Sequence, residues 1–218
     1  MSSRLRTRAT TVNNSENGGR LNDSEDPGEV LLKRRRTVFE NSRFFVHADH
    51  IADETGREVP DYLVVAPRIH VQDLITGVAV LPIYQGRVVL VKTFRHAVRS
   101  VVLETVSGFM DPNETPAEAA LRELREETGL VCSPDRLVAL GTCLPEASTL
   151  EARVALFAAM DCTRSTKTEA SEIGLGGWVS FSMKEAERLL VEMSLEEVTT
   201  LVSLHRFFLM KAAGRVGF

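Results

Sequence analysis

Glu123, Glu126 and Glu127 stand in one short run, Arg122-Glu123-Leu124-Arg125-Glu126-Glu127. On a helix Glu126 is i+3 and Glu127 i+4 from Glu123, so the three carboxylates share about one turn of one face. Like charges so close repel one another, and only Arg122 and Arg125 stand near to offset them. Gathered carboxylate oxygens are the donor set that hard divalent cations such as Mg²⁺ or Mn²⁺ prefer. A polyanionic substrate could approach such a helix only through bridging cations, which reverse the local field and polarise phosphoryl oxygens. The plainer alternative is a solvated, charged helix face, and the acidic run taken alone does not exclude it.

The flanking residues decide between the two. Thr115 is a good N-cap, Pro116 suits the first helical position, and Glu118 completes a capping box with Thr115. Gly129 is placed to stop the helix. Ala117, Ala120, Leu121 and Leu124 offer a face to pack on a sheet. Residues 108–130 resemble the Nudix box, Gly-x5-Glu-x7-Arg-Glu-U-x-Glu-Glu-x-Gly-U with U a bulky aliphatic residue. All nine specified positions in those 23 residues are filled. The resemblance implies a Nudix-type α/β/α sandwich with a mixed β-sheet, and hydrolysis of a nucleoside diphosphate linked to another moiety with Mg²⁺ or Mn²⁺. It makes Glu123 and Glu127 the main metal ligands, with Glu126 beside them and the carbonyl of Ser107 as a further ligand. Arg122 would hold the box carboxylates in orientation, and Gly108 would let the backbone pass close to the metal cluster.

Outside the box the chain resembles the ADP-ribose pyrophosphatase-like branch. Lys92-Thr93-Phe94-Arg95 is similar to that branch's "LVxQYR" segment, with Thr93 replacing the usual Gln, and this makes Arg95 a substrate contact. Leu103-Glu104-Thr105-Val106-Ser107-Gly108 resembles "LExPAG", which makes Glu104 another acid near the metals; Val101 stands where the branch often has Trp. Pro145, fifteen residues after Leu130, matches a proline of that branch, although the glycine that follows it there is missing. Alignment on Trp178-Val179-Ser180 makes Glu172, with Glu169 near it, the general base in a loop before the last strand.

These residues need a scaffold, and its elements are legible. Residues 1–36 read as a disordered basic and polar tail, with Lys33-Arg34-Arg35-Arg36 a solvated run. Residues 37–73 read as a strand and hairpin region. It holds Phe44-Phe45-Val46, a turn at 53–56 and Tyr62-Leu63-Val64-Val65. Residues 74–218 read as the hydrolase domain. Its central hairpin joins residues 76–83 to 88–91, and neither arm shows a polar face. Strands follow at 137–142 and 153–159, then a polar stretch at 161–171 and a short strand at 178–180. Two helices finish the chain, one at 183–191 and one capped by Ser194 with Glu197 that runs to Gly214. His47 and His50 read as surface strand or turn residues, His96 as a candidate lining residue, and residues 174–177 as a loop.

Composition sets the remaining bounds. Lys+Arg is 26 against 30 Asp+Glu, a net charge of −4, so no overall basic field draws the chain to nucleic acid or an anionic membrane. Three cysteines without CxxC spacing point away from zinc and a disulfide framework, and towards a reducing, cytoplasmic location. The Arg-, Ser- and Thr-rich start leaves mitochondrial targeting open. No apolar run is long enough for a membrane span. The expected substrate is ADP-ribose or a related nucleotide sugar. GDP-sugars, NADH, dinucleoside polyphosphates, an RNA 5′ end, or a nucleotide sensor without turnover are the alternatives. In the resembled branch the N-terminal hairpin packs against a second subunit. The apolar residues at 44–46 and 62–65 therefore predict a homodimer.

Overall fold

A computed structural model describes residues 28–165 and 173–217 of the 218-residue chain. Strands β1 (Leu31–Glu40), β2 (Phe44–Ala52) and β3 (Glu58–Pro67) form an antiparallel sheet in the order β1-β2-β3. The expected hairpin is β2 with β3, in a register that runs from Phe44 opposite Pro67 to Ala52 opposite Glu58. Residues 31–36, read from sequence as part of a disordered tail, are instead the first six residues of β1. Alternating apolar burial gave no signal there because all ten positions of β1 are exposed; the strand is held by backbone pairing to β2.

The second sheet has eight strands. β4 (Ile75–Tyr84) lies at its centre, hairpinned to β5 (Arg87–Arg95) and parallel to β10 (Arg153–Arg164). β6 (Ser100–Glu104) pairs with β5, β7 (Val106–Phe109) with β4, and β8 (Leu130–Val131) and β9 (Leu137–Cys143) with β10. β11 (Leu175–Ser182) closes the other edge on β5. The sheet mixes parallel and antiparallel pairs, and helices cover both faces. Val78, Val80, Val89 and Val91 point to helix α1 (Pro116–Thr128). Ala79, Leu81, Ile83, Val88 and Leu90 point to α2 (Met183–Val191) and α3 (Val198–Ala212). Period-two side-chain alternation explains why both arms of this hairpin are apolar throughout: each face has a helix layer to bury against.

Helix α1 begins and ends as its sequence predicts. Thr115 and Glu118 form the capping box, and Gly129 ends the helix in the left-handed region at φ 67°. The buried face is Ala119, Ala120 and Leu124, with Ala117 exposed rather than packed. Truncating a fully buried leucine such as Leu124 to alanine costs about 2–5 kcal/mol. Helix α3 starts later than its Ser-x-x-Glu spacing suggested. Glu197 is itself the N-cap, accepting from the amides of Thr199 and Thr200, while the Ser194 amide donates to Leu189 O and helps finish the α2 turn. The short last strand begins earlier than expected, at Leu175, taking in Gly176 and Gly177 of the stretch read as a loop, and the polar stretch after residue 160 carries β10 on to Arg164. Among the described residues no helix is long and apolar enough to cross a membrane.

One buried chain of hydrogen bonds ties α3 to the strands that carry the acidic site. Thr200 Oγ1 donates to Glu197 Oε2 at 2.7 Å and accepts from the Thr105 amide at 2.9 Å, between β6 and β7. Thr200 is wholly buried. Replacing it with valine keeps the shape but leaves the Thr105 N–H without an acceptor, a cost of about 1–3 kcal/mol. A T200V variant is therefore expected to lose stability of that order in urea denaturation, with the slope unchanged.

Candidate active site

The acidic face of α1 looks into a cleft of about 1120 Å³, walled by both sheets. Arg122 is the hub of its charged side. Its Nε and Nη2 grip the two oxygens of Glu114, each at 2.9 Å. Nη1 donates to Glu123 Oε1 at 2.6 Å and Glu126 Oε2 at 3.2 Å, and Nη2 also reaches the carbonyl of Phe109 at 3.0 Å. The fork shape of a guanidinium suits this work, because its donors lie in one plane at fixed angles. The hydrogen bonds to Glu114, together with those to Glu123, hold Arg122 above even arginine's ordinary pKa, and Arg122 in turn depresses Glu114. Arg125 is exposed, and among the described residues Arg122 is the box arginine that pairs with Glu114, Glu123 and Glu126.

Glycine makes room for Glu123. A Cβ at Gly108 would overlap the Glu123 carboxylate, and one at Gly77 would stand 2.7 Å from Gly108 O. The paired strands β4 and β7 thus run bare backbone under the carboxylate, with Val78 opposite Gly108. Across the cleft Glu104 is buried, its side chain only 3% exposed, and is paired with Arg95. Arg95 Nε hydrogen-bonds Oε2 at 3.2 Å, leaving Oε1 buried without a hydrogen-bond donor, although that oxygen lies 3.0 Å from the same nitrogen. Glu104 is therefore no edge-strand surface charge.

Eight candidates read from sequence line this one cleft: Arg95, Glu104, Ser107, Arg122, Glu123, Glu126, Glu127 and Pro145. Glu172, with Glu169 near it, lies outside the described residues. His96 is exposed and does not line the cleft. His47 is buried, with Nδ1 3.1 Å from Thr37 Oγ1, and His50 pairs with Glu58 at 2.8 Å; both serve the first sheet. Glu146 folds onto its own turn at Ser148, and Glu151 pairs with Arg35 at 3.3 Å.

Sequence reasoning missed an aromatic wall. Phe44 of β2 meets Phe109 of β7 edge-on at 5.6 Å, and Arg43 stands 5.8 Å over the Phe109 ring. All three line the cleft. The hairpin reaches the cleft because β3 is docked along residues 149–151: the Val65 amide donates to Thr149 O at 2.8 Å, and the Glu151 amide to Val65 O at 2.9 Å. Of the seven apolar residues at 44–46 and 62–65, only Leu63 is exposed.

The donor chemistry fits a hard divalent cation. It consists of carboxylates and backbone carbonyls, with one buried carboxylate oxygen lacking a donor and a glycine floor that admits the Glu123 carboxylate. As placed, Arg122 holds an oxygen each of Glu123 and Glu126, and no three His, Cys, Asp or Glu side chains among the described residues converge on one point.

Glu114 supplies a pH test of the hub. Its pKa is held below the ordinary 4.5, chiefly by Arg122, so the pair's stabilisation is present above that value and is lost as pH falls through the depressed one. E114Q is expected to lower the thermal midpoint at pH 7. Its disadvantage should shrink steadily below pH 4.5, where the unfolded wild type takes up a proton on Glu114 before the folded protein does. Midpoints recorded from pH 7 down to 3 would show parallel curves if Arg122 did not control this group.

The NUDIX domain model matches residues 73–192, more than half of the chain. An ADP-sugar pyrophosphatase of Mus musculus is 45% identical over 68 residues, 27% of this chain and 31% of that protein. An ADP-ribose pyrophosphatase of Bacillus subtilis (strain 168) is 42% identical over 54 residues, 24% of this chain and 29% of that protein. The matched segments thus span less than a third of either relative. The crystal structure of an ADP compounds hydrolase superposes with a TM-score of 0.72 over 88% of this chain and 100% of that one, at 21% identity, a likeness of fold. With the box filled, its helix facing a cleft and the domain matched over most of the second sheet, the chain belongs to the Nudix family.

Proposed function

We propose that this protein is a metal-dependent pyrophosphohydrolase. Its substrate is ADP-ribose or a related nucleotide sugar, which it cleaves to a nucleoside monophosphate and a sugar phosphate. The observation that carries this reading is the meeting of Glu104, Glu123, Glu126 and Glu127 with Arg95 and Arg122 in one cleft. The names of the two relatives support the substrate class. Glu123, Glu126, Glu127 and the carbonyl of Ser107 would hold Mg²⁺ or Mn²⁺, with the buried Glu104 carboxylate beside them. Once bound, the cation neutralises phosphate charge and acidifies a water.

The chain's own residues supply position. Arg95 is anchored through Nε to Glu104, and its side chain is 42% exposed at the cleft, so its outer N–H groups are free to orient a substrate phosphate. Arg122 keeps Glu123 and Glu126 aimed inward without touching substrate. The Phe44–Phe109 pair and Pro145 wall the side on which the base or sugar lies. Hydrolysis adds water oxygen to one phosphorus and breaks that phosphorus's bond to the bridging oxygen, which leaves with the other phosphate; Glu172 takes the water proton. Such a displacement depends on positioning and electrostatics more than on covalent help.

A panel of nucleotide sugars and dinucleotides, run with Mg²⁺ or Mn²⁺ and with both products identified, tests the reading. ADP-ribose yielding AMP and ribose phosphate is expected; no turnover of any nucleoside diphosphate derivative would overturn it. Glu127→Gln keeps size and helix propensity but removes one ligand charge. It is expected to cut turnover by several orders of magnitude with an unchanged circular dichroism spectrum, and full activity at saturating metal would refute the ligand role.

The reading includes a homodimer through the first sheet and a cytoplasmic setting, which the three free thiols suit. Phe39 and Leu63 lie opposite Val46 and Ala48 of β2, hence on one face, and are 57% and 50% exposed. Light scattering is expected to give twice the chain mass at micromolar concentration, and F39E with L63E to halve it. A wild-type mass of one chain would rule the dimer out.

A further inference from the structure

Away from the cleft, β8 and β10 bring two cysteines together. Their antiparallel register sets Leu130 opposite Arg164 and Val131 opposite Thr163; continued one residue past Val131, where β8 ends, it sets Cys132 opposite Cys162. The Ser165 amide donates to Gly129 O at 2.8 Å, which marks that pair as hydrogen-bonded. Such pairs alternate, so 131/163 is the next bonded pair and 132/162 is a non-bonded one. At non-bonded positions Cα atoms are about 4.5 Å apart and side chains come closest, inside the range a disulfide spans. The thiols keep to neighbouring carbonyls, Cys132 Sγ 3.3 Å from Met160 O and Cys162 Sγ 3.2 Å from Ala159 O. Both side chains pack on the α1 side of the sheet.

We infer that Cys132 and Cys162 are a redox modification site, closing reversibly to an intrachain cross-strand disulfide when the protein meets a peroxide. The pair is built asymmetrically. Cys132 is half-buried and open to a small oxidant, whereas Cys162 is buried behind it. Each thiol acts on the other across the strands, lowering the pKa of Cys132 and, with burial, raising that of Cys162, so Cys132 is the sulfur that favours the thiolate. The Cys132 thiolate attacks one peroxide oxygen, the O–O bond breaks, and water leaves with a proton from solvent. Cys132 is then a sulfenic acid. The Cys162 sulfur attacks the Cys132 sulfur, the S–O bond breaks, and hydroxide leaves as water with the Cys162 proton. Overall two thiols lose two electrons and two protons, and the peroxide becomes two waters. The bond fixes the end of β8, three residues after Gly129, to β10 and so staples the C-terminal end of α1 to the sheet. Cys143, on β9 and packed on the opposite face, stays out of the exchange.

The test uses the full chain, reduced, desalted and treated with a small excess of hydrogen peroxide. It is then alkylated after denaturation and mapped by mass spectrometry. The expected result is an intact mass lower by about 2 Da, one alkylated cysteine (Cys143), a linked Cys132–Cys162 peptide, and full reversal by dithiothreitol. C143S should keep the mass loss, and C132S and C162S should each abolish it. Because Cys162 is buried, C132S and the wild-type peptide map decide the matter if C162S does not fold. Oxygen accumulating on Cys132 with Cys162 still alkylated, or a disulfide joining two chains, would overturn the inference.

Discussion

Gathering carboxylates on one turn of helix is the constraint around which this domain is arranged. Uncompensated, Glu114, Glu123 and Glu126 would repel one another or take up protons. Arg122 resolves this by spending its planar donors on all three and on the Phe109 carbonyl at once. A lysine could supply the charge but not the simultaneous, directed bonds. Because Glu114 lies before the helix and Phe109 on β7, the same side chain fixes the helix against the strand that lies beneath Glu123.

That arrangement demands a thin floor and a firm frame. Gly77 and Gly108 supply the floor, since a side chain at Gly77 would collide with the Gly108 carbonyl across β4 and β7, and one at Gly108 would take the space of the Glu123 carboxylate. The frame is the two-faced core around β4 and β5, with α1 on one side and α2 and α3 on the other. Trp178 adds a brace, donating from Nε1 to Thr128 O at 3.1 Å where α1 ends. On the opposite face Glu197, Thr200 and Thr105 connect the start of α3 to the turn between Glu104 and Ser107. The position of the acidic face therefore depends on contacts from both sides of the sheet.

The N-terminal sheet completes the cleft from a distance in sequence. Its docking rests on backbone bonds between β3 and residues 149–151, on Tyr62 donating to Ser148 O, and on Arg35 bridging Asp49 and Glu151. This places Phe44 and Arg43 against Phe109, and so an aromatic and cationic wall faces the acidic helix.

By itself the sequence determined the features that depend on near neighbours. The capping box at Thr115 and Glu118, the stop at Gly129 and the shared face of Glu123, Glu126 and Glu127 follow from helical periodicity and terminal hydrogen bonding. The unbroken apolar runs of β4 and β5 likewise required a helix layer on each face. Tertiary structure alone decided what depends on partners far along the chain. β1 carries no burial pattern and exists through its register with β2. Local spacing marks Ser194 as the cap of α3, and contact with Thr105 through Thr200 accompanies the use of Glu197 in its place. Glu104 could have been a surface charge until Arg95 and the cleft closed over it. Phe44 and Phe109, 65 residues apart, had no local signal, because a ring contact is set by how two sheets dock and not by the spacing of residues on either.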